Sequence, residues 1–490
     1  MFAFSFWGEG GISFAAYKEV LLNKRQLGLL FNSFVLAGGT TILSIIWGVP
    51  FAFLISRTDF CFKKFFQYLY LTPLLIPPYI SAISWIDLLG RQNFFHVSGI
   101  LLSVWILGLS YFPFLTLLTV SGLKSVDRRL EETAQLSHPK IYVLKKITLP
   151  LVLPYIVAGA IFVFIFSIGN YAVPALLEVN TYPVEIFTQF SAFYNPQAAT
   201  AVSAPLVLIT LILILFQRYL LKNKTYVTIG SSSKKPEVFK LGKCKPLALT
   251  FLLSVISASV IIPIAVLLVR SGGVLSYKTA FKTGYHELFL SLGLSALGAT
   301  LIIALGFFVS YIIERSKGKA QAAIDIISLL PFAVPATVLG IGLIRVWNHP
   351  FSEFIYGSSA IILFGYIARF SPFSIRAISS NVKQINPNLE ESADICGAGW
   401  WRRFWRILLP LSKPGLLAGW LIAFVLSLGE LGTTLLVIPP GKATLPIKIY
   451  NVMHYGASKL VAALSIILIL VSLFFVLIVY VIFHLRRKTI

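Results

Sequence analysis

The sequence predicts an all-α membrane protein with about 11 transmembrane helices, built as two parallel tandem repeats. Three observations lead there. Charged residues make up 12% of the chain and hydrophobic ones 57%, where a soluble domain holds about 25% charged residues. Many uncharged apolar runs approach the ~20 residues that let a helix cross a bilayer with its backbone groups satisfied internally. The chain also matches itself at a nearly constant offset over more than a hundred residues, as a duplicated architecture would.

The apolar runs place spans at 31–55, 66–89, 99–120, 149–169, 200–220, 247–269, 287–313, 322–347, 359–380, 411–436 and 460–483. A net charge of +23 invites a nucleic-acid reading, but position argues against one. The loops 56–66, 121–148, 217–246, 314–321, 376–413 and 484–490 hold 29 of the 41 Lys and Arg. All of them fall on one side of the predicted topology, as cytoplasmic loops do under the positive-inside rule. The chain is therefore expected to be a multi-pass protein of the inner (plasma) membrane, surrounded by lipid, with no nucleic acid as partner. The C-terminus is expected in the cytoplasm and the N-terminus in the periplasm. Cys61, Cys244 and Cys396 lie in cytoplasmic loops without a CxxC partner, which supports neither a disulfide framework nor a zinc site. Met1–Trp7 is apolar but too short to span and has no basic region or cleavage site, so it does not read as a secretory signal.

The repeat is carried by Gly and Pro positions as well as by polar ones. Phe31, Ser33, Gly48 and Arg57 recur as Phe289, Ser291, Gly306 and Arg315, and Pro73 and Pro77 as Pro331 and Pro335, all at an offset of 258. Pro113 matches Pro372 at 259, and Pro150, Pro154, Gly159 and Gly169 match Pro410, Pro414, Gly419 and Gly429 at 260. Both halves put a basic loop before Pro150 or Pro410 on the same side, so the repeats are parallel, related by an axis along the membrane normal. The first repeat is expected over 1–221 with five spans and the second over 247–490 with six, joined by a polar, basic linker over 222–246. The span 247–269 has no counterpart before Gly10, and Gly10–Lys24 resembles Gly272–Tyr285. The four prolines at 73, 77, 331 and 335 are expected to interrupt their helices.

One long cytoplasmic loop in each half, 124–150 and 383–410, carries a patterned motif. The second reads Glu390-Glu391-Ser392-Ala393-Asp394-Ile395-Cys396-Gly397 and, nine residues later, Ile407-Leu408-Leu409-Pro410. The first reads Glu131-Glu132-Thr133-Ala134-Gln135-Leu136-Ser137-His138 and ends Ile147-Thr148-Leu149-Pro150, one residue shorter and without a turn glycine. The pattern predicts two short helices joined by a tight turn, a knob stiff enough to transmit a push. Carboxylates in the first turn suit the helix dipole, and Gly397 permits a positive φ. Trp400, Trp401, Phe404 and Trp405 beside Arg402, Arg403 and Arg406 predict an interfacial second arm. The alternative is a merely amphipathic, lipid-facing loop. No G-x-x-x-x-G-K-[ST] phosphate cradle occurs in the chain, so it is not expected to be an enzyme or to bind a cofactor itself.

Glu391, Ala393, Gly397, Ile407, Leu409 and Pro410 resemble the E-A-A-x3-G-x9-I-x-L-P signature of ABC importer permeases. Glu131, Glu132, Ala134, Ser137, Ile147, Leu149 and Pro150 form a less complete copy. Asn32-Ser33, Pro73-x3-Pro77, the stretch Ser427-Leu428-Gly429-Glu430-Leu431-Gly432-Thr433-Thr434, Pro439-Pro440-Gly441 and Ile449-Tyr450 extend the likeness. From Gly10 onward the chain resembles the fused two-repeat permeases of binding-protein-dependent ABC importers of the ferric-iron type. The resemblance implies a type I ABC importer permease fold and a periplasmic substrate-binding protein. It also implies that both loops dock in clefts of an ABC ATPase homodimer, which uses the ATP and Mg²⁺. Ferric iron is the implied cargo; related branches import thiamine, 2-aminoethylphosphonate or other small solutes. The complete loop at 390–410 is expected to matter more for coupling than its copy.

Within the spans, Glu430 and its repeat partner Asn170, next to Tyr171, are candidates for the translocation path, since an ionisable group in the bilayer is functional by default. Helix packing is the alternative role for Glu430. Arg369 needs a partner, for which Glu430 and Asp325 are available. His96, His286, His349 and His454 fall on the outer face without ligand spacing, so no metal site is expected. The competing function of another class is an ion-gradient-driven secondary transporter, which would need no docking loop and would carry more intramembrane carboxylates.

Overall fold

The computed structural model describes residues 7–8, 11–12, 17, 23–60, 62–89, 99–222, 238–456 and 458–487. Cys61, His96, most of Gly10–Lys24 and the middle of the linker lie outside these residues. Apart from a two-residue strand pair, Trp7–Gly8 with Gly11–Ile12, the regular structure described is helical.

Among the described residues, nine helices are long and apolar enough to cross a membrane. Two further pairs pass that test only together: Lys63–Leu75 with Pro78–Leu89, bent by 88°, and Lys319–Ala333 with Ala336–Trp347, bent by 105°. Counting each pair as one broken span brings the total to 11. The bends fall at the repeated prolines. Pro73 lies in the short turn Thr72–Leu75 and Pro331 in Leu330–Ala333, Pro77 precedes Pro78–Leu89, and Pro335 stands just before Ala336–Trp347. Proline has no N–H to give and its ring clashes with the carbonyl four residues back, so it ends one helix and is welcome at the start of the next.

Residues 2–269 and 270–490 form two compact units. In the first, helices Lys24–Arg57, Gly99–Ser125 and Leu149–Ile168 converge on Leu115. A Cβ on Gly48 would stand 2.8 Å from Leu115 Cδ2, and one on Gly159 3.0 Å from Leu115 Cα. Glycine is what lets these helices approach so closely. In the second unit the corresponding trio is Val274–Arg315, Ala360–Val382 and Leu409–Leu428. Here Ser310 Oγ donates to Ile375 O at 2.9 Å and Ser374 Oγ to Gly419 O at 2.8 Å. Toward the other end of the first long helices, away from Arg57 and Arg315, Tyr182 N donates to Ser33 Oγ at 2.9 Å and Leu445 N to Ser291 Oγ at 2.7 Å. The repeated serines thus cap the short helices Tyr182–Ser191 and Leu445–His454.

Sequence repeat and packing unit part company at one helix. The helix through Lys245–Ile256, expected to open the second repeat, packs in the first unit, where Leu252, Val255 and Ile256 bury against Phe51, Ile55, Phe66 and Phe112. The boundary expected at 246/247 is that of the repeat, whereas the packing boundary falls after Val269. Apolar length reveals a span, but it does not say which aromatic cluster the span will cover.

Candidate functional site

Each patterned loop folds as a helix–turn–helix knob. Asp127 Oδ1 accepts from Arg129 N at 2.9 Å and caps Arg128–Gln135; Asn386 Oδ1 accepts from Asn388 N at 3.1 Å, one residue ahead of the N-cap Pro387 of Asn388–Ile395. These two acceptors are 259 residues apart, while the second arms, beginning at Lys140 and Trp400, are 260 apart. The residue missing from the first loop is therefore missing at its turn. In the second knob Gly397 takes φ 75°, with Gly397 N donating to Asp394 O at 2.8 Å and Ala398 N to Ala393 O at 2.9 Å. This is the left-handed closure that glycine favours. In the first knob His138 N closes on Ala134 O at 3.0 Å, and neither Ser137 nor His138 has a positive φ. Losing one residue removes the need for glycine.

Four residues after Asp127 and after Asn386 stands a buried carboxylate. Glu131 is held by Arg57, which has no exposed surface, through Nη2–Oε1 at 2.5 Å and Nη1–Oε2 at 3.1 Å. Thr148 Oγ1, from the second arm, donates to the same carboxylate at 2.6 Å. Glu390 is held by Arg315 Nε at 2.7 Å and by the Tyr311 hydroxyl at 2.8 Å, while Arg315 Nη2 donates to Ile385 O at 2.9 Å. Arg57 and Arg315 are the last residues of Lys24–Arg57 and Val274–Arg315. Each knob is thus clamped to the first long helix of its own unit by a charge-assisted contact that fixes direction as well as distance.

The adjacent Glu132 and Glu391, which the signature singles out, point elsewhere. Glu132 is partly exposed and pairs with Arg128 at 2.6 Å; Glu391 is exposed. Ala134 and Ala393 are half-buried and Ser137 is exposed. Ile147 and Ile407 lie half-buried in π-turns, Leu144–Thr148 and Phe404–Leu408, which Leu149 N and Leu409 N close by donating to Leu144 O and Phe404 O. Pro150 and Pro410 follow at once. The proline ring crowds the carbonyl four residues back, and the wider turn relieves that crowding while the helix continues. A third π-turn, Ser257–Ile261, likewise comes just before Pro263.

The apex of each knob is apolar and bare: Leu136 is 87% exposed and Ile395 88%. One such residue is unremarkable on a surface, but the same one at the same place in both halves marks a contact surface. The aromatic residues expected at the membrane interface divide. Trp400 and Phe404 stack on Phe308 at 6.4 and 6.0 Å, while Trp401 and Trp405 stay exposed. Arg403 pairs with Asp394 at 2.6 Å and ties the two arms together.

The end of the linker meets the first clamp. Phe239 N donates to Arg57 O at 2.7 Å and Asp59 N to Phe239 O at 3.1 Å. Leu241 N donates to Asp59 Oδ1 at 2.8 Å, and Lys245 pairs with the same carboxylate at 2.9 Å. The Leu241 amide, and then Lys245, hold the Asp59 carboxyl below its ordinary pKa.

Asn170 and Glu430 follow the glycines that end Leu149–Ile168 and Leu409–Leu428. Asn170 Oδ1 accepts from Val173 N at 3.0 Å, and its Nδ2 donates to the Tyr111 hydroxyl at 3.0 Å. Tyr171 is buried against Phe187, with ring centroids 4.6 Å apart. Glu430 is buried and accepts from Thr433 N and Thr434 N, both at 3.0 Å, and from Thr434 Oγ1 at 2.6 Å. Arg369 pairs with it at 3.2 Å, and Asp325 pairs with Arg376 instead. Both repeat partners therefore cap a chain break, and the carboxylate of Glu430 is already occupied by donors.

The profile of the binding-protein-dependent transport system inner membrane component family matches residues 33–226 and again 302–489. The chain belongs to that family. It is 25% identical over 466 residues, 92% of this chain and 89% of the relative, to Fe(3+)-transport system permease protein FbpB 2 of Haemophilus influenzae. It is 22% identical to ferric transport system permease protein FbpB of Actinobacillus pleuropneumoniae, over 91% of this chain and 69% of the relative. Molybdenum transport system permease protein ModB of Escherichia coli is 29% identical over 39% of this chain but 90% of its own length. About two fifths of this chain thus corresponds to nearly the whole of a shorter relative. With this doubled domain and its apolar helices, the chain is a multi-pass inner-membrane permease subunit of the all-α type I class.

Arg57 and Arg315 entered the sequence reading only as repeat landmarks and Glu390 only as a first-turn carboxylate, while Thr148 and Tyr311 had no role in it. The signal was present: two arginines 258 apart and two carboxylates 259 apart, recurring at matching places in the two halves.

Proposed function

We propose that this permease imports ferric iron, delivered by a periplasmic binding protein and driven by a separate ABC ATPase homodimer that uses ATP and Mg²⁺. The observation that carries the coupling is the pair of knobs with bare apolar tips, Leu136 and Ile395, each locked to a long helix through a buried carboxylate. A partner that seats the tips and then moves would push Lys24–Arg57 and Val274–Arg315 along with the knobs, because the clamps leave no slack. An ion-gradient mechanism gives such knobs nothing to do. Ferric iron is favoured over molybdenum because the relatives named for ferric transport align over 92% and 91% of the chain and the molybdenum one over 39%. In this arrangement the C-terminus lies in the cytoplasm with the knobs and the N-terminus outside.

The test is uptake of labelled ferric iron under iron limitation by cells with and without the gene, with labelled molybdate and 2-aminoethylphosphonate as comparison substrates. Co-purification of an ATPase subunit with the permease is measured in parallel. Unchanged iron uptake removes that cargo, and an uptake defect without any associated ATPase removes the coupling scheme.

A further inference from the structure

Arg369 stands inside an apolar helix of the unit 270–490, and the coupling scheme gives it no part. It lies in Ala360–Val382, nine residues after the first. That is about 14 Å at 1.5 Å per residue, farther than its side chain can snorkel. The side chain is nevertheless 28% exposed. A guanidinium at that depth does not open onto hydrocarbon, where its N–H groups would find no acceptor. The surface it opens onto is therefore hydrated.

Two interruptions of the helices meet at this residue. Thr433, in the break after Leu409–Leu428, donates through Oγ1 to Ala336 O at 3.2 Å and accepts from Arg369 Nη1 at 3.4 Å. Ala336 opens the helix Ala336–Trp347 behind the break at Pro335. Irregular backbone at membrane depth persists where protein buries it or where it lines water. Glu430 sits behind the arginine: its side chain is 2% exposed, and its oxygens are taken by Thr433, Thr434 and Arg369. Arg369 spends only Nη1 on these partners. Among the described residues its Nη2 and Nε have none, and its Cζ lies 5.7 Å from the centre of the Phe370 ring. The pair is therefore directional, with the acid inward and the cation toward water.

The first repeat shows that the fold does not require these charges. Ser110 stands at the position of Arg369, at an offset of 259, and Asn170 at that of Glu430, at 260. Ser110 is buried and donates to Ile106 O of its own helix at 2.9 Å. Asn170 accepts from Val173 N as Glu430 accepts from Thr433 N. A neutral pair thus closes the same break. Charges that are costly to desolvate, and that the break does not need, point to a task of their own.

We propose that Arg369 lines the hydrated translocation path and binds an anionic oxygen group carried by the cargo. This rests on the importer reading above and narrows it. Ferric iron crosses as a complex with an oxyanion, because the guanidinium repels a bare trivalent cation. The planar fork of N–H donors suits a carboxylate, carbonate or phosphate group. Glu430 keeps the arginine in place and does not itself touch the cargo.

The test uses the full-length permease reconstituted in liposomes with its ATPase and the host's substrate-binding protein, and labelled ferric iron as probe. Arg369→Ser/Glu430→Asn installs the neutral pair of the first repeat. It is expected to keep the wild-type melting curve and to import iron about tenfold or more slowly. Ser110→Ala, at the repeat partner, is expected to leave import unchanged. A chemical rescue reads the charge on one and the same protein, so it decides the matter even where the neutral pair lowers the melting point. Arg369→Cys/Glu430→Asn is made with Cys61, Cys244 and Cys396 replaced by Ser. Cationic aminoethyl methanethiosulfonate is expected to modify this variant and restore import. The anionic sulfonatoethyl reagent is expected to modify it and leave import low. If neither water-soluble reagent reacts, the path is not hydrated at this position and the proposal is overturned. Equal import after either reagent overturns it too. So does faster import by the neutral variant, which would mean that the cargo is a bare cation repelled by Arg369. If the wild-type complex imports molybdate or 2-aminoethylphosphonate and not iron, the ferric reading fails, and the same variants decide the role of Arg369 on that anion. If it imports none of the three, the importer reading fails and the proposal falls with it.

Discussion

Removing the arginine of the first clamp separates what a buried ion pair does for stability from what it does for coupling. In Arg57→Met, Glu131 keeps the Thr148 hydroxyl at 2.6 Å but loses guanidinium contacts at 2.5 and 3.1 Å, in a site where the arginine has no exposed surface. Stripping one partner from such a pair costs about 3–5 kcal/mol, because the remaining charge is left buried and uncompensated. The second clamp is expected to be more forgiving. The Arg315 and Glu390 side chains are 17% and 9% exposed, and Glu390 retains the Tyr311 hydroxyl at 2.8 Å, so Arg315→Met is expected to cost about 1–3 kcal/mol. In Arg57→Met/Glu131→Leu no charge is stranded, and most of the lost stability is expected to return. The knob nonetheless stays untethered. Thermal unfolding in detergent reads the first effect, and substrate imported per ATP hydrolysed by the reconstituted complex reads the second. The reasoning predicts an unstable single variant and a stable but poorly coupled double variant. A double variant restored in both respects would show that the clamp is only a packing device. An Arg57→Met protein within about 0.5 kcal/mol of wild type, the range of an ordinary surface substitution, would refute the burial argument itself.

Three further outcomes follow from the geometry. Leu136→Asp and Ile395→Asp alter fully presented side chains, so folding is expected to shift by less than about 0.5 kcal/mol while ATPase co-purification is lost; retained association would remove the tips from the interface. Glu430→Gln turns an amide N–H₂ toward the Thr433 and Thr434 donors, with an expected cost of about 1–3 kcal/mol that lowers Tm before any transport assay is run. An unchanged Tm would instead point to a carboxylate free for cargo. The Asp59 contact to Leu241 and Lys245 favours the ionised carboxyl, whose pKa is lowered from 3.8. Its contribution is therefore fully present above that ordinary value and is lost only as the pH falls through the lower folded-state pKa. Cysteine cross-linking between Thr58 and Phe239 positions is expected to persist from neutral pH down to the ordinary carboxylate range; loss at mildly acidic pH would contradict the sign.

Much of the fold was legible because its signals are local. A span needs an apolar run of a certain length, and the bends between helices need prolines such as Pro73, Pro77, Pro331 and Pro335 at their breaks. The knobs were legible for the same reason: Gly397, the first-turn carboxylates and the leucine–proline ending each act on backbone shape within a few residues. The one-residue deficit of the first loop could be counted, but the sequence did not say that a turn closed by His138 without a positive φ would absorb it. The neighbouring glutamates show the limit most clearly. Glu131 and Glu132 are chemically identical, as are Glu390 and Glu391, and which of each pair is buried depends on an arginine more than 70 residues away.

The sequence by itself determined that this is a doubled membrane protein with a stiff helix–turn–helix knob in each half, because hydrophobic length and turn chemistry act through residues adjacent in the chain. Only the tertiary structure decided that the buried glutamates clamp the knobs to Arg57 and Arg315, that both oxygens of Glu430 are taken by Thr433, Thr434 and Arg369, and that the helix after the linker packs in the first unit. Those outcomes depend on which distant groups arrive in the same low-dielectric space. Burial penalises every charge and donor left unpaired there, a condition that no stretch of sequence can meet alone.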